Sequence, residues 1–570
     1  MDHQFLLIAL AALAIMIAAS VFSRRTGVAA PLLLVGLGIL ASYLPSTPEI
    51  HVEPELILAG VLPPLLYSSA INLPVIDIRR NLSLIAWLSV VMVIVSSLVI
   101  GVVVHLVFPG ISFGLGVALG AVVSPTDAVA ATAIGHRVGL PPRLSAVLEG
   151  ESLVNDASAL VMLRTAITAV SATGGFSLGH TILDFAWAVA GAVIIGLVVG
   201  VFTVRLRQRL DDPVLNTTIS FAVPFLAYFP AEQVEASGVL AVVVAGLATG
   251  SMGSRRFSAR DRQTQATTWT TVSFILESGV FLAMGYELPE LLRDSSSETS
   301  TGQTIGLVLL VTALLVVLRF LGLAWPALGR RYGHEARSDQ QRARLDQFEE
   351  QLAAVTPEGD REETRLEWAR RRVARGKADI EFEAREPITA RGSFVLAWAG
   401  MRGVVTVAAA QTIPTGVAHR ATVVIAAFFV AIITLVGFGL TLPSVIARMR
   451  LRSASDKERR DAFHSLLQEV GEEAVEVVGP VDEQTIDGEP IPPQLAARMK
   501  EQILPRILTG VRERRETRPD ALERSRILQR RYLDAMRDAL AAERSIGAYS
   551  SETYRKVESL LDDYEQRLGG

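Results

Sequence analysis

About thirteen long apolar runs, separated by short polar loops, occupy most of the first 450 residues of this chain. A helix needs about 20 apolar residues to cross the hydrocarbon core of a bilayer, and inside that core every backbone polar group must be bonded within the protein. The sequence therefore predicts an all-α polytopic membrane protein with about thirteen transmembrane helices. The runs lie at 4–21, 28–44, 56–71, 83–108, 111–134, 144–170, 181–204, 214–229, 237–253, 268–286, 303–328, 392–413 and 421–447.

The loop arginines indicate how the chain is oriented, because cytoplasmic loops carry an excess of Lys and Arg. They fall in alternate loops, whereas intervening loops such as 45–55 and 171–180 are nearly free of basic residues. We expect a multi-pass protein of the inner (plasma) membrane, with the N-terminus outside and the C-terminal tail in the cytoplasm. The first run lacks a basic start and a small-residue cleavage site, so it is expected to stay uncleaved. The arginines are Arg24, Arg25, Arg79, Arg80, Arg137, Arg143, Arg205, Arg207, Arg209, Arg255, Arg256, Arg260 and Arg262.

Two polar segments divide the chain into a membrane domain, 1–450, and two cytoplasmic parts. The insertion at 330–388, between the eleventh and twelfth runs, is dense in charge and is predicted to be a solvated helical hairpin with its turn near 356–359. The tail at 453–570 repeats apolar residues at helical spacing, so it is predicted to be a helical bundle or a dimer arm. Neither part contains a catalytic constellation, and the chain is not expected to be an enzyme.

The composition excludes several kinds of site. The chain has no cysteine, which excludes disulfides, thiol catalysis and thiolate metal centres. Its eight histidines show no HxxxH or HExxH spacing, so a zinc site has no support. The net charge of -4 gives no reason to expect nucleic acid as a partner. No cofactor is expected.

Ionisable residues lie in the middle of two adjacent runs, at Asp127, Glu151 and Asp156. A charge near the bilayer centre costs at least about 2.5 to 3.5 kcal/mol, so such acids usually face a partner, a water-filled cavity or an ion path. A transport site is the default interpretation. The alternative for any single acid is a pair with an arginine that holds two helices together.

The residues around these acids offer hard oxygen ligands. Pro125 removes an amide donor and frees backbone carbonyls next to Thr126 and Asp127. In the following run, Ser152 and Asp156 share one helical face with Glu149, while Glu151 and Asn155 form the adjacent stripe. Carboxylate, hydroxyl, amide and carbonyl oxygens suit an alkali or alkaline-earth cation.

Helix-breaking residues interrupt two runs in the same way. Ser124, Pro125 and Thr126 interrupt the fifth run, and the segment 400–403, with the sequence GMRG, lies in the middle of the twelfth. Paired interruptions in corresponding positions of two halves are typical of secondary transporters built from inverted repeats. Six spans, one linking span and six more would satisfy this arrangement.

The sequence resembles the sodium/proton exchangers of the monovalent cation:proton antiporter family, the branch that includes the animal sodium/hydrogen exchangers. Six motifs carry the resemblance, and together they extend over the whole membrane domain. They are LPPLL at 62–66, SPTDAVA at 124–130, GESLVND at 150–156, SGVLAVVVAG at 237–246, ESGVFLAMG at 277–285 and GMRGV at 400–404.

The resemblance implies thirteen spans in inverted repeats, two discontinuous helices that cross near the midplane, and a homodimer. It implies that Asp156 binds either the cation or the proton. It further implies that Asn155, Ser152, Thr126 and Asp127 line the same site.

Two arginines within the runs also receive roles from the resemblance. Glu151 is expected to pair with Arg319 of the eleventh run, and Arg402 is expected to stabilise the helix crossing together with Asp127. The alternative for each arginine is snorkelling, in which a long side chain reaches the headgroups. Both lie well inside their runs, which makes snorkelling the poorer explanation.

Three further positions leave questions open. Glu277 is either a second proton group or a bond between helices. Ser68 stands where animal exchangers carry an acid, which puts a second carboxylate at the site in doubt. Arg164, beyond Asp156 in the sixth run, receives no role from the sequence.

The expected function is secondary active antiport of cytoplasmic sodium or lithium against external protons, for pH and sodium homeostasis. Proton and cation would compete for one carboxylate, because a bound cation favours its charged form. The neighbour Asn155 has no proton to exchange, so exchange is expected to be electroneutral. A cation channel and a potassium-selective antiporter are the alternatives, although no TVGYG-like filter occurs. The sequence leaves the preferred cation open.

Overall fold

The computed structural model is helical almost throughout the residues that it describes. The all-α class expected from the sequence is confirmed, while the count of thirteen spans stays a prediction. The described residues are 3–26, 30–44, 55–127, 131–132, 135, 138–171, 178–210, 212–331, 334–355, 359–414, 416–451, 456–486, 489–498 and 519–569.

The chain divides into two compact units. The first unit comprises residues 1–253, 264–328 and 388–451, and it holds the apolar runs. The second comprises 254–263, 329–387 and 452–570. The loop at 254–263 thus groups with the insertion and the tail rather than with the membrane domain in which the sequence analysis places it.

The helices of the membrane part follow the apolar runs. Within the described residues, seven helices are long and apolar enough to cross a membrane, and five apolar helices are shorter. The elements are α1 (His3–Thr26), α2 (Ala30–Ser42), a π-helical turn (Leu56–Val61), α3 (Leu62–Asn72), α4 (Val75–Ala86), a second π-helical turn (Trp87–Val91), α5 (Met92–Val107), α6 (Phe113–Val123), α7 (Pro142–Ser171), α8 (Leu178–Arg207), α9 (Pro213–Gln233), α10 (Gly238–Arg256), α11 (Ala259–Glu298), α12 (Thr301–Arg331), α15 (Ala390–Trp398), α16 (Val404–Gln411) and α17 (Arg420–Met449).

Both expected interruptions are present. Helix α6 ends at Val123, and residues 124–127 are not helical. The twelfth run is split into α15 and α16 by a non-helical stretch at 400–403. A proline explains the first break because it lacks an amide hydrogen and clashes with the preceding turn. Two glycines flank the second, and glycine costs about 1 kcal/mol in a helix interior relative to alanine.

The insertion forms the expected helical hairpin, α13 (His334–Ala353) and α14 (Asp360–Arg385). Its helices pack against each other, and Lys377 of α14 binds Asp346 at 2.5 Å and also Glu349 of α13. The predicted turn at 356–359 lies mostly outside the described residues.

The tail contains α18 (Asp456–Val478), α19 (Pro493–Arg498), α20 (Pro519–Ile546) and α21 (Ser551–Gly569). Three of these helices, α18, α20 and α21, share an apolar core around Leu466, Leu533 and Val557. Two short antiparallel strands, β1 (Thr485–Ile486) and β2 (Glu489–Pro490), follow α18, in a stretch where several prolines disfavour helix. The predicted helical segment PRILTGV at 505–511 lies outside the described residues.

Helices α2 and α11 approach each other backbone to backbone. A Cβ atom added to Gly38 would overlap the carbonyl oxygen of Leu282, and one added to Gly285 would overlap that of Val35. Small residues at such crossings let transmembrane helices pack closely, which supplies the van der Waals contact that holds them together in lipid. By contrast, Gly279 on the same helix α11 has open space beside its Cα atom.

We predict that Gly285→Ala lowers the thermal stability of the membrane unit, because the backbone of α2 must move away. Overpacking of this kind costs about 1 to 3 kcal/mol. Gly279→Ala is the matched control, and it should be neutral or stabilising by up to about 1 kcal/mol because alanine favours helix. Thermal unfolding of both detergent-purified variants measures the difference. Equal unfolding midpoints for Gly285→Ala and Gly279→Ala would show that α2 and α11 are not tightly packed at Gly285.

Candidate functional site

The two interrupted helices meet at their breaks. The backbone N–H of Asp127 donates to the carbonyl of Met401 at 2.7 Å. Arg402, which is 3% exposed, donates from Nε to the carbonyl of Val123 at 2.9 Å and from a terminal nitrogen to the carbonyl of Gly400. One buried guanidinium therefore satisfies carbonyls at both breaks. A free carbonyl in the hydrocarbon core would cost several kcal/mol.

Asp127 lies against the start of α16. A Cβ atom added to Gly403 would overlap the Asp127 carboxylate, so only glycine leaves room for this contact. The amide groups at a helix N-terminus carry partial positive charge, which stabilises an anion placed there. The family resemblance implies that Asp127 and Arg402 stabilise the crossing together, which stays a prediction. The backbone N–H of Asp127 and the side chain of Arg402 each donate to a carbonyl of the opposite interrupted helix.

Glu151 and Arg319 form a buried, bidentate ion pair. The two terminal nitrogens of Arg319 donate to the two carboxylate oxygens of Glu151 at 2.6 and 3.1 Å. The same guanidinium also donates to the carbonyls of Leu396 at 3.1 Å and Ala397 at 3.3 Å, in the last turn of α15. A Cβ atom added to Gly400 would overlap Arg319. Helices α7, α12 and α15 are thus joined through one arginine.

A hydrogen-bonded chain continues from Glu151 toward Asn155. The hydroxyl of Thr126 donates to Glu151 at 3.1 Å and accepts a hydrogen bond from the Asn155 amide nitrogen at 3.0 Å. This chain fixes the orientation of the amide, since the nitrogen must face Thr126. The amide oxygen is left buried without a hydrogen-bond partner among the described residues, and Asn155 is only 1% exposed.

Asp156 follows Asn155 on α7 and is also buried, with 6% of its surface exposed. Its carboxyl group lies within electrostatic range of Asp127, and Asp127 is in turn within range of Glu277 on α11. Ser152 precedes Asp156 by one turn on the same face of α7 and is partly buried. The structure therefore brings the predicted residues of α7 and of the α6 break together.

Ser68 and Glu277 are linked through α11. The hydroxyl of Ser273 donates to that of Ser68 at 2.8 Å, and Glu277 lies one turn further along the same helix. Ser68 itself is buried. The carboxylate of Glu277 thus lies one helical turn from Ser273, whose hydroxyl bonds Ser68 of α3.

Two contacts were not anticipated from the sequence. Arg164 of α7 binds Glu232, near the end of α9, at 2.7 Å, and Glu232 also accepts the N–H of Gly238 at 2.9 Å. Arg164 is about half exposed, so this pair contributes little to stability. The other missed contact is that of Gly403 with Asp127. Its only signal in the sequence was the glycine at the end of the GMRG motif.

The chain is similar to known proteins both in sequence and in fold. Residues 8–448 match the family model described as the transmembrane sodium/hydrogen exchanger. The structure resembles that of the sodium proton antiporter MjNhaP1 from Methanocaldococcus jannaschii, with a TM-score of 0.55 at 16% sequence identity, over 80% of this chain and all of that one. At that identity the likeness concerns the fold.

Relatives by sequence carry antiporter names. The chain is 34% identical over 303 residues to the "Sodium, potassium, lithium and rubidium/H(+) antiporter" of Bacillus pumilus, covering 51% of this chain and 45% of that protein. It is 27% identical over 466 residues to the Na(+)/H(+) antiporter ApNhaP of Aphanothece halophytica, covering 82% of this chain and 78% of that one. The match to the Bacillus protein thus spans about half of its length.

We predict that Glu151→Gln lowers expression and thermal stability, because Arg319 is left buried, charged and without its carboxylate. Breaking a buried ion pair costs about 3 to 5 kcal/mol. Adding Arg319→Met should recover part of the loss in thermal unfolding. Glu232→Gln is the matched control, since it breaks a more exposed pair worth about 0.2 to 1 kcal/mol. A double variant no more stable than Glu151→Gln would contradict the pairing.

Proposed function

The chain belongs to the sodium/hydrogen exchanger family, and we propose that it is a secondary active antiporter that exchanges cytoplasmic sodium or lithium for external protons. The observation that carries this proposal is the orientation of Asn155. Its amide oxygen is buried without a hydrogen-bond partner among the described residues, and the next residue of α7 is the buried Asp156. A buried acceptor with no donor is costly. A bound cation would coordinate the amide oxygen of Asn155 and neutralise the carboxylate of Asp156.

Two other charges near the site are already compensated. Arg319 neutralises Glu151, and the Asp127 carboxylate lies at the N-terminus of α16. Asp156 has no hydrogen bond from a described residue, so it is the group best placed to alternate between a proton and a cation. Either one neutralises the same negative charge, which makes their binding mutually exclusive and couples the two fluxes.

The donor set favours a monovalent cation. Dedicated calcium sites use several carboxylates at once, whereas no group of three acidic, histidine or cysteine side chains able to hold a metal ion occurs in the described part of the chain. One carboxylate with neutral oxygens suits an alkali cation better. Potassium remains the alternative substrate, and the Bacillus relative's name includes it.

The setting of the proposed exchange follows the sequence analysis. The cytoplasmic side would be that of the insertion and the tail, the protein would lie in the cell membrane as a homodimer, and exchange would serve pH and sodium homeostasis. The electrostatic interaction of Glu277 with Asp127 supports a place for Glu277 near the ion path.

A pH-gradient assay in proteoliposomes tests the proposal. Sodium or lithium should dissipate an imposed gradient, potassium should do so less, and calcium should not. Asp156→Asn should abolish exchange in a folded protein, because it removes the charge for which proton and cation compete. Asp184→Asn, which neutralises an exposed acid of α8, is the matched control and should retain exchange. Normal transport by Asp156→Asn, or a gradient that no cation dissipates, would defeat the proposal.

We further predict that exchange is electroneutral, because Asn155 coordinates through its carbonyl oxygen and has no proton to exchange near neutral pH. One carboxylate then carries one proton or one monovalent cation. Vesicles clamped with potassium and valinomycin should exchange sodium at the same rate at zero and at strongly negative potential. A rate that changes clearly with voltage would instead indicate that a second acid, Glu277 above all, also carries a proton.

A further inference from the structure

Thr406 lies on the first turn of α16, just after the Arg402 and Gly403 of the broken stretch. It is 1% exposed, and its hydroxyl has no hydrogen-bond partner among the described residues. A buried hydroxyl without a partner costs roughly 1 to 3 kcal/mol in proteins. Such a cost calls for an explanation.

Several other buried threonines of this chain avoid the cost in the same way. Thr203, Thr249 and Thr434 each donate to the carbonyl four residues earlier, as threonine does inside helices. For Thr406 the carbonyl four residues earlier belongs to Arg402, which is not helical. The break that creates the crossing therefore also removes the usual acceptor of this hydroxyl.

Helix α16 begins beside the ion site and packs against α7. Gly403, the residue that precedes α16, lies against the Asp127 carboxylate. Ala409 and Ala410, three and four residues after Thr406, share an apolar core with Leu153 and Ala157 of α7. These two α7 residues flank the segment that holds Asn155 and Asp156.

We propose that the Thr406 hydroxyl is a further oxygen ligand of the transported cation, contributed from α16 opposite Asn155 and Asp156. The inference rests on the proposed antiport function. It accounts for two buried oxygens without partners, those of Thr406 and Asn155, as parts of one coordination shell. A neutral oxygen at this position would strengthen binding of the cation without binding the exchanged proton.

Thr406→Val tests the assignment, because valine keeps the shape and removes the oxygen. The apparent KM for sodium should rise about five- to tenfold, the effect of losing one hydrogen-bonding group, and should change more than the maximal rate. Thr406→Ser keeps the oxygen and should recover most of the lost affinity. Thr217→Val is the matched control, since Thr217 of α9 also carries a buried hydroxyl without a partner among the described residues.

Thermal unfolding separates this role from a structural one. Both valine variants should be at least as stable as the wild type without sodium, because each removes a buried unpaired hydroxyl. Sodium should stabilise the wild type and Thr217→Val, while Thr406→Val should need about five to ten times more sodium for the same shift.

The outcomes are distinguishable. If Thr406→Val matches Thr217→Val in its KM for sodium and in its sodium-dependent stabilisation, Thr406 is not a ligand. This conclusion does not depend on the exchange activity of the wild type. If the wild type fails to exchange cations, the proposed function fails. The sodium titration of thermal stability then still decides whether Thr406 contributes to a cation site.

Discussion

The structure depends on one constraint, which is that a helix broken inside a membrane exposes carbonyls that water cannot reach. Arg402 donates to carbonyls at both breaks, and Arg319 donates to the last carbonyls of α15. The breaks therefore bring two positive charges into the apolar region. Carboxylates must accompany them, because an unpaired buried charge is strongly destabilising.

Asp156 differs from Glu151 and Asp127 in having no compensating partner among the described residues. Glu151 compensates Arg319 directly, and the carboxylate of Asp127 lies at the N-terminus of α16, where the helix amides stabilise an anion. Among the acids of α7 and of the α6 break, Asp156 then remains as a surplus negative charge in a buried position. In the proposed exchange this surplus is removed by a proton or by a cation. Switching access to the site from one side of the membrane to the other would be costly while the site is empty and ionised. This cost favours coupled exchange over the uncoupled passage of either ion.

Much of this arrangement could be predicted from the sequence, and the limits have physical causes. The two breaks were predictable because Pro125 and the GMRG stretch act locally on the backbone. The Glu151 and Arg319 pair came from the family resemblance, since nothing local links residues so far apart in sequence. The orientation of the Asn155 amide was not predictable, because it depends on three side chains from two segments. The contact of Arg164 with Glu232 was missed for the same reason, as it needs the packing of α7 against α9.

The glycine crossing of α2 and α11 has a mechanical consequence. Where backbone touches backbone, no side chain can change its rotamer to accommodate sliding, so the two helices are restricted to moving as one rigid body near Gly38 and Gly285. Glu277 lies on α11 about two turns before Gly285. The position of its carboxylate is therefore fixed relative to α2 as well as to α11.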